Sequence, residues 1–184
     1  IMDIKIKKLR LKGASELLLK KKSDDRGWFV RLFCQNELLS INKSRNIQQI
    51  NSSFTKKKGT VRGFHYQEIP YQEDKFVTCL QGHVYDVIVD IRPDSPTFGK
   101  WISTIISSEK MNALYIPKGF AHGYQTLNNN CQILYFHTEF YKKESENGFS
   151  YNSPFLNIKW PLKITNISKK DSKLRDFQGD KNDL

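Results

Sequence analysis

The sequence predicts an all-β protein, built as a two-sheet sandwich or a closed barrel, from the spacing of its strands and turns. Between residues 60 and 138, short runs rich in β-branched and aromatic residues recur, separated by turn signals such as Gly82 and Pro93-Asp94. Several short strands at this spacing are typical of sandwiches and barrels. The 184-residue chain has no internal repeat and no linker-like stretch, which indicates one domain over residues 1–184.

The strand after Gly82 supports this prediction because its side chains alternate between two chemical classes. Tyr85, Val87, Val89 and Ile91 fall on one face, and Asp86, Asp90 and Arg92 fall on the other. The pattern predicts an apolar core on one side of the strand. The polar side is either a wet cleft or the ordinary solvent face of the sheet.

The elements before and after this region are shorter. Residues 1–22 predict two short strands, and a turn at 24–27 is followed by a strand over 28–33. Residues 35–43 predict one short helix, and residues 46–54 a further strand. The last fifteen or so residues are charged and polar, so we expect them to be helical or frayed.

The charge of the chain favours anionic partners. The net charge is +11 and the isoelectric point is near 9.5. A nucleic-acid binder is therefore the class to weigh against an enzyme. However, the lysine runs at 20–22 and 56–58 are not interleaved with aromatic residues and match no nucleic-acid motif. We interpret them as solvated faces that also attract a diphosphate, and expect no nucleic-acid partner.

The sequence also bears on compartment and cysteine chemistry. No apolar run approaches the length of a membrane span, and the N-terminus has no signal-peptide pattern. We therefore expect a cytoplasmic protein without a membrane partner. The three cysteines, Cys34, Cys79 and Cys131, are odd in number and lack metal-ligand spacing, which predicts reduced, packed thiols.

The stretch at residues 59–67 (GTVRGFHYQ) is the strongest candidate for a functional site. Its two glycines indicate a bend or a close approach of backbones. Arg62 is suited to a phosphate, and histidine, the residue type at position 65, is the side chain best suited to accept a proton near neutral pH. A phosphorylated small molecule undergoing proton transfer would need both. The alternative is a surface ion pair at Arg62 and a hydrogen-bonded strand histidine at His65.

Further motifs follow the first in a fixed order. They are DVIVDIR at 86–92, SPTFG at 95–99, IPKGFAHG at 116–123 and LY at 134–135. Together they resemble the dTDP-4-dehydrorhamnose 3,5-epimerase family of nucleotide-sugar epimerases. The resemblance extends over nearly the whole chain, from DRG at 25–27 to KD at 170–171.

The resemblance implies a more specific fold than the strand pattern does. The family fold is a double-stranded β-helix, or cupin jelly roll, here with short N- and C-terminal extensions. It implies a homodimer in which nucleotide contacts cross the interface, and no metal or organic cofactor. Many cupins bind a metal through clustered histidines, but His83, His122 and His137 are scattered in this sequence.

The implied reaction is epimerisation at C3 and/or C5 of a nucleotide-linked 4-keto-6-deoxyhexose, in deoxysugar and polysaccharide (lipopolysaccharide) biosynthesis. The C4 ketone acidifies the hydrogens on C3 and C5, so the enzyme needs a base, an oxyanion stabiliser and a separate acid. By resemblance these are His65 with its partner Asp171, then Lys75, then Tyr135. Without the resemblance, Asp171 would be an ordinary tail residue and Tyr135 a core tyrosine.

Lys75 has its own alternative, because the acidic pair Glu73-Asp74 departs from the family pattern. It would then be a surface lysine beside two acids. A second departure is Thr78, which stands where the family commonly has arginine.

The resemblance also assigns substrate-binding positions. They are Arg62, His122, Arg26, Gln49, Asn51, Arg31, Tyr141 and Glu146. Tyr141 matches the aromatic that stacks on the base, with Phe140 as its rival. Arg31 stands where the family usually has a glutamate that pairs with thymine, and its donors would suit guanine or cytosine instead.

Two other functions remain open at this point. One keeps the fold and changes the reaction, to a single-position epimerase or a 3,4-ketoisomerase on a GDP-, CDP- or dTDP-linked 4-ketosugar. The other is a non-catalytic cupin that binds sugars or anions. The presence of His65, Lys75, Tyr135 and Asp171 together speaks against the binding module.

Overall fold

The computed structural model describes residues 3–42 and 46–180, and their regular structure is mostly β-strand, as predicted. The strands are β1 (Ile4–Lys8), β2 (Ser15–Leu19), β3 (Lys21–Asp24), β4 (Gly27–Val30), β5 (Gln49–Thr55), β6 (Val61–Gln67), β7 (Lys75–Gln81), β8 (His83–Asp90), β9 (Trp101–Ser107), β10 (Asn112–Ile116), β11 (Phe120–Thr126), β12 (Cys131–His137) and β13 (Glu146–Gly148). The helices are α1 (Gln35–Asn42) and two single 3-10 turns, Lys143–Ser145 and Asp171–Lys173.

Two antiparallel sheets pack face to face. One has the order β1-β2-β10-β7-β12-β5 and the other the order β13-β6-β11-β8-β9, while β3 and β4 form a separate hairpin. Val77 and Ile133 from the first sheet meet Val84 and Ile88 from the second in one apolar cluster. The predicted double-stranded β-helix is confirmed, since the two sheets enclose the core between them.

Both sheets are also covered on their outer faces. The chain after β13 lays Phe149, Leu156 and Phe177 against Val87 and Val89 of β8. On the other side, Leu38 of α1 belongs to the cluster that includes Phe76 and Phe136. The central strands are therefore buried on both sides, and the sandwich has three apolar layers.

This double burial corrects the solvent-face interpretation of Asp90. The residue is fully buried, and its Oδ2 lies 2.7 Å from a guanidinium nitrogen of Arg92. The hydroxyls of Ser95 and Thr97 donate to the same oxygen, at 2.5 and 2.6 Å. Burial raises the pKa of Asp90, but these bonds outweigh it and hold the pKa below its ordinary value. On the polar face of β8, Asp90 is therefore an interior residue whose carboxylate is hydrogen-bonded by its neighbours.

Element boundaries differ from the predictions where tertiary contacts decide. The strand predicted over 28–33 ends at Val30, because it is the second half of the β3–β4 hairpin. The helix predicted over residues 35–43 is found over Gln35–Asn42, and residue 43 lies outside the described residues. The tail up to residue 180 holds one 3-10 turn instead of a longer helix, and buried Phe177 anchors it. The end of that prediction, residues 181–184, is also outside the described residues.

Cys79 and Cys131 are buried as thiols, in agreement with the predicted packed cysteines, and Cys34 is half-buried. Burial raises the pKa of the Cys79 thiol to about 12. Among the described residues, no helix is long and apolar enough to cross a membrane.

Candidate active site

A cleft of about 550 Å³ opens between the two sheets and collects most of the predicted site residues. Strands β5, β6, β7, β11 and β12 line it together with the tail. The predicted residues on its walls are Asn51, Arg62, His65, Lys75, His122, Tyr135, Tyr141, Glu146 and Asp171. The volume is within the range of small-molecule sites.

Three predicted binding residues lie outside the lining of the cleft. Gln49 is adjacent to it, since its Oε1 accepts the backbone N–H of Tyr141 at 2.9 Å. Arg26 is on the exposed tip of the β3–β4 hairpin, paired with Asp24. Arg31 binds Glu37 of α1 and, at 3.3 Å, Asp3.

Gly63 brings the two central strands of the cleft together. Its φ is +105°, and a Cβ at this position would lie 2.5 Å from the carbonyl oxygen of His122. Only glycine therefore fits between β6 and β11 at this point, and the close approach of backbones that the two glycines of this stretch indicated is found here. The close approach sets His65 directly opposite His122 in the strand pairing.

His65 and Asp171 are in contact although they are distant in the sequence. His65 Nε2 lies 2.8 Å from Asp171 Oδ1, and the backbone N–H of Gly63 donates to Asp171 Oδ2 at 3.1 Å. Burial raises the pKa of Asp171, but the bond to His65 and its charge hold the pKa below its ordinary value. An ionised carboxylate only accepts, so Nε2 carries the proton and Nδ1 remains the basic atom.

Lys75 is inside the cleft and is not a surface lysine. Its side chain is 11% exposed, and its Nζ lies 3.0 Å from Glu73 Oε1. The other oxygen of Glu73 lies 2.7 Å from His137 Nδ1. The interpretation of Lys75 as a solvent-exposed residue beside two acids is therefore wrong.

His122 forms a second histidine–aspartate pair with Asp86 of β8. His122 Nε2 lies 2.8 Å from Asp86 Oδ2 and 3.0 Å from Oδ1. Asp86 is fully buried, and burial raises its pKa even though His122 opposes the shift. Sequence reasoning missed this pair and the Glu73–His137 pair. The signal for Asp86 was its position on the polar face of a central strand.

Tyr135 reaches the cleft from the sheet opposite His65. Its hydroxyl lies 3.0 Å from Ser53 Oγ and 3.4 Å from the hydroxyl of Tyr124. Desolvation raises the pKa of Tyr135 well above its ordinary value. The phenol therefore stays protonated at neutral pH and is available as a proton donor.

The outer part of the cleft is polar and cationic. The Arg62 guanidinium binds Thr55 Oγ1 at 3.1 Å and the carbonyl of Phe54 at 3.4 Å. These are neutral acceptors, so the alternative of a surface ion pair at Arg62 finds no support among the described residues.

An aromatic side chain also reaches the outer part. Tyr141 lines the cleft, and its hydroxyl donates to Glu146, which also pairs with Lys170 at 2.6 Å. Phe140, the rival for the stacking position, is not among the lining residues.

Comparison with known proteins adds independent findings. The family model described as dTDP-4-dehydrorhamnose 3,5-epimerase matches residues 8–179. A protein of that name from Shigella flexneri is 40% identical, over 80% of this chain and 82% of its own length.

Two solved structures are similar over nearly the whole chain. The dTDP-4-dehydrorhamnose 3,5-epimerase of Bacillus anthracis, solved with TDP and pyrophosphate bound, superposes with a TM-score of 0.91 at 34% identity, covering 95% of this chain and 99% of that one. An epimerase from Legionella pneumophila in complex with dTDP-4-keto-L-rhamnose gives a TM-score of 0.89 at 35% identity, covering 94% and 92%.

Proposed function

Because the chain belongs to the dTDP-4-dehydrorhamnose 3,5-epimerase family, it is an isomerase, and we propose that it inverts C3 and C5 of a dTDP-linked 4-keto-6-deoxyhexose. One observation carries the assignment of roles. The His65–Asp171 pair and the Tyr135 hydroxyl line the same cleft from opposite sheets, and Lys75 lines it from the sheet of Tyr135. Inversion needs a base and an acid on opposite faces of the sugar, and this arrangement supplies both.

The reaction proceeds by two proton transfers at each carbon. Nδ1 of His65 removes the proton next to the C4 ketone, and Asp171 stabilises the imidazolium that forms. The electron pair moves onto the ketone oxygen, where the Lys75 ammonium stabilises the developing enolate. Tyr135 then gives a proton to the opposite face of the carbon. Solvent removes the proton from His65 and reprotonates Tyr135, so the sugar is isomerised without net gain or loss of atoms.

The nucleotide would occupy the outer part of the cleft. Arg62 has guanidinium donors suited to a diphosphate, and Tyr141 offers an aromatic face for the base. The net charge of +11 favours the approach of such an anion.

Thymine is the base we propose, against the GDP and CDP alternatives. Arg31, the residue that suggested guanine or cytosine, is already engaged by Glu37 and Asp3. Calorimetric titration of TDP, UDP, CDP and GDP should give the tightest binding with TDP, and Arg31→Glu should leave that order unchanged. A wild-type preference for GDP or CDP that Arg31→Glu shifts toward TDP would instead identify Arg31 as the residue that reads the base.

We also propose a cytoplasmic homodimer acting in deoxysugar and lipopolysaccharide biosynthesis. The β3–β4 hairpin carries exposed Trp28 and Phe29 beside Arg26, away from the cleft of its own chain. In a dimer, the hairpin would supply Arg26 to the neighbouring subunit's nucleotide. Light scattering should give twice the mass of the chain, and a fully active monomer would contradict this part of the proposal.

Proton exchange in deuterated water tests the reaction itself. With a dTDP-linked 4-keto-6-deoxyhexose, NMR should show deuterium entering C3 and C5 and the inverted sugar accumulating. Exchange at one carbon alone would indicate a single-position epimerase. Absence of exchange with every 4-ketosugar nucleotide tried would favour the non-catalytic binding module.

A further inference from the structure

Glu73 connects two cleft residues, the predicted Lys75 and the additional His137, in one chain of contacts. Its Oε1 lies 3.0 Å from Lys75 Nζ, and its Oε2 lies 2.7 Å from His137 Nδ1. On the far side of the imidazole, His137 Nε2 lies 3.3 Å from Asn51 Nδ2. The carboxylate and both of its partners are largely buried. The contacts therefore run in a line along the wall formed by β5, β12 and β7.

The protons of this chain follow from the charge of Glu73. Burial raises the pKa of Glu73, but Lys75 and His137 outweigh it, so the group is a carboxylate at neutral pH. Since a carboxylate only accepts, His137 Nδ1 carries a proton and donates it. His137 Nε2 then accepts from the Asn51 amide, which satisfies both ring nitrogens.

These contacts restrict what each residue is able to do. Each carboxylate oxygen of Glu73 has one side-chain partner, so the group is held between Lys75 and His137. The Lys75 ammonium has three donors, and the contact with Glu73 uses one of them. A lysine side chain has a flexible four-carbon stem. An ammonium that has to contact one particular oxygen atom is therefore better positioned when a fixed neighbour holds it.

We propose that Glu73, held in place by His137, is a positioning residue that fixes the Lys75 ammonium at the point where the ketone oxygen binds. The inference rests on the proposed function, because it is the enolate that gives Lys75 its role. Glu73 is also one of the two acidic residues that directly precede Lys75. Asp74, the other one, is turned elsewhere and accepts the backbone N–H of Lys118 at 2.8 Å.

Glu73→Gln tests this with little change in shape. The amide retains an acceptor, but it loses the charge and cannot accept from both Lys75 and His137 through equivalent oxygens. We expect kcat to fall about tenfold, with KM and the dissociation constant of TDP within about twofold of wild type. Glu139→Gln is the matched control, because it makes the same charge change two residues beyond β12 and outside the cleft lining. It should leave kcat unchanged.

A double-mutant cycle with Lys75→Met decides whether Glu73 acts through the lysine. The Lys75→Met variant is expected to be slow, so its rate of deuterium exchange is measured at high enzyme concentration. In that background, adding Glu73→Gln should change the rate less than about twofold, because the ammonium to be positioned is absent. An equal fold-change in both backgrounds, or an unchanged kcat in folded Glu73→Gln, overturns the proposal.

Two further measurements keep the outcome unambiguous. Thermal unfolding shows whether Glu73→Gln is folded, and Glu73→Asp, which keeps the charge on a shorter arm, is the substitute where it is not. Glu73→Asp should retain more kcat than Lys75→Met and should also lose its effect in the Lys75→Met background. If wild type itself shows no exchange, the proposed function has failed, and that result is distinct from failure of the positioning role.

Discussion

The cleft contains two histidine–aspartate pairs side by side, and they differ in access to solvent. His65 and His122 are opposite each other on β6 and β11, and each Nε2 lies 2.8 Å from an aspartate oxygen. Yet the side chain of His65 is 34% exposed, whereas that of His122 is 6% exposed. The environments also shift the partner acids in opposite directions, lowering the pKa of Asp171 and raising that of Asp86.

The difference shows how one chemical unit serves two purposes. An imidazole that reaches the open cleft is able to pick up a proton from a substrate and release it to water. In a buried pair, any net change of charge carries a desolvation cost. Such a pair is therefore less suited to taking up and releasing a proton. We therefore propose that His65–Asp171 carries out the proton transfer, and that His122–Asp86 forms a fixed, hydrogen-bonded part of the cleft wall.

The largest expected effect comes from removing each imidazole in turn. His65→Asn should lower kcat about 10²- to 10⁴-fold, the range for losing a positioned base, and abolish deuterium exchange into the sugar. His122→Asn should keep exchange and lose about tenfold, since the residue does not carry the proton. NMR of substrate in deuterated water measures both, with thermal unfolding as the control for folding. Equal losses in two folded variants would remove the distinction between the pairs.

The carboxylates provide the next test. In Asp171→Asn, the amide nitrogen facing His65 Nε2 would donate to it, which moves the ring proton to Nδ1 and removes the basic lone pair. We expect a loss of about 10² in kcat, with TDP binding retained. Asp86→Asn should cost less than about tenfold in kcat. A larger loss for Asp86→Asn than for Asp171→Asn, in folded proteins, would reverse the assignment.

Tyr135 tests the opposite wall and should separate exchange from inversion. In Tyr135→Phe the enolate still forms, because His65 remains, and the imidazole returns a solvent-derived proton to the same face. We expect inversion at one carbon or both to fall about tenfold or more while deuterium exchange continues. Tyr124→Phe is the matched control, since it removes the neighbouring hydroxyl 3.4 Å away. Normal inversion in Tyr135→Phe would show that another group is the acid.

The sequence alone was sufficient for the strands and for much of the cleft. Alternation and turn residues predict the central strands, and the residue types at 59–67 predict His65. Lys75, Tyr135 and Asp171 could be matched only through the resemblance, and the structure brings all four residues to one cavity. The contact of Asp171 with His65 depends on the tail crossing β6, where Gly63 donates to the carboxylate.

The sequence could not reveal contacts that depend on which strands become neighbours. Glu73 and His137 meet because β7 and β12 pair with Lys75 opposite His137. His122 meets Asp86 because β11 pairs with β8. Neither spacing nor alternation contains that pairing. The interpretation of Asp90 as a solvent-facing residue was wrong for a similar reason, since alternation did not predict that both faces of β8 would be covered.

The smallest expected effect concerns stability in acid, where the two aspartates should again differ. Burial raises the pKa of Asp171, but the contacts with His65 and Gly63 lower it by more than burial raises it. The pKa in the folded protein therefore lies below the unfolded value of about 3.9. As the pH falls below about 4, the unfolded chain binds this proton first, and the stabilisation from Asp171 is progressively lost. It is fully present above that range.

The Asp171→Asn variant should therefore be less stable than wild type near pH 6. The difference between their free energies of unfolding should narrow as the pH falls toward the pKa of Asp171 in the folded protein. Asp86→Asn should show no such narrowing, because the fold raises the pKa of Asp86 and disfavours its charged form. Urea unfolding at a series of pH values measures the free energy of unfolding of all three proteins. A constant gap for Asp171→Asn would mean that its carboxylate is no better stabilised in the folded chain than in water, and the contrast between the two pairs would then rest on exposure alone.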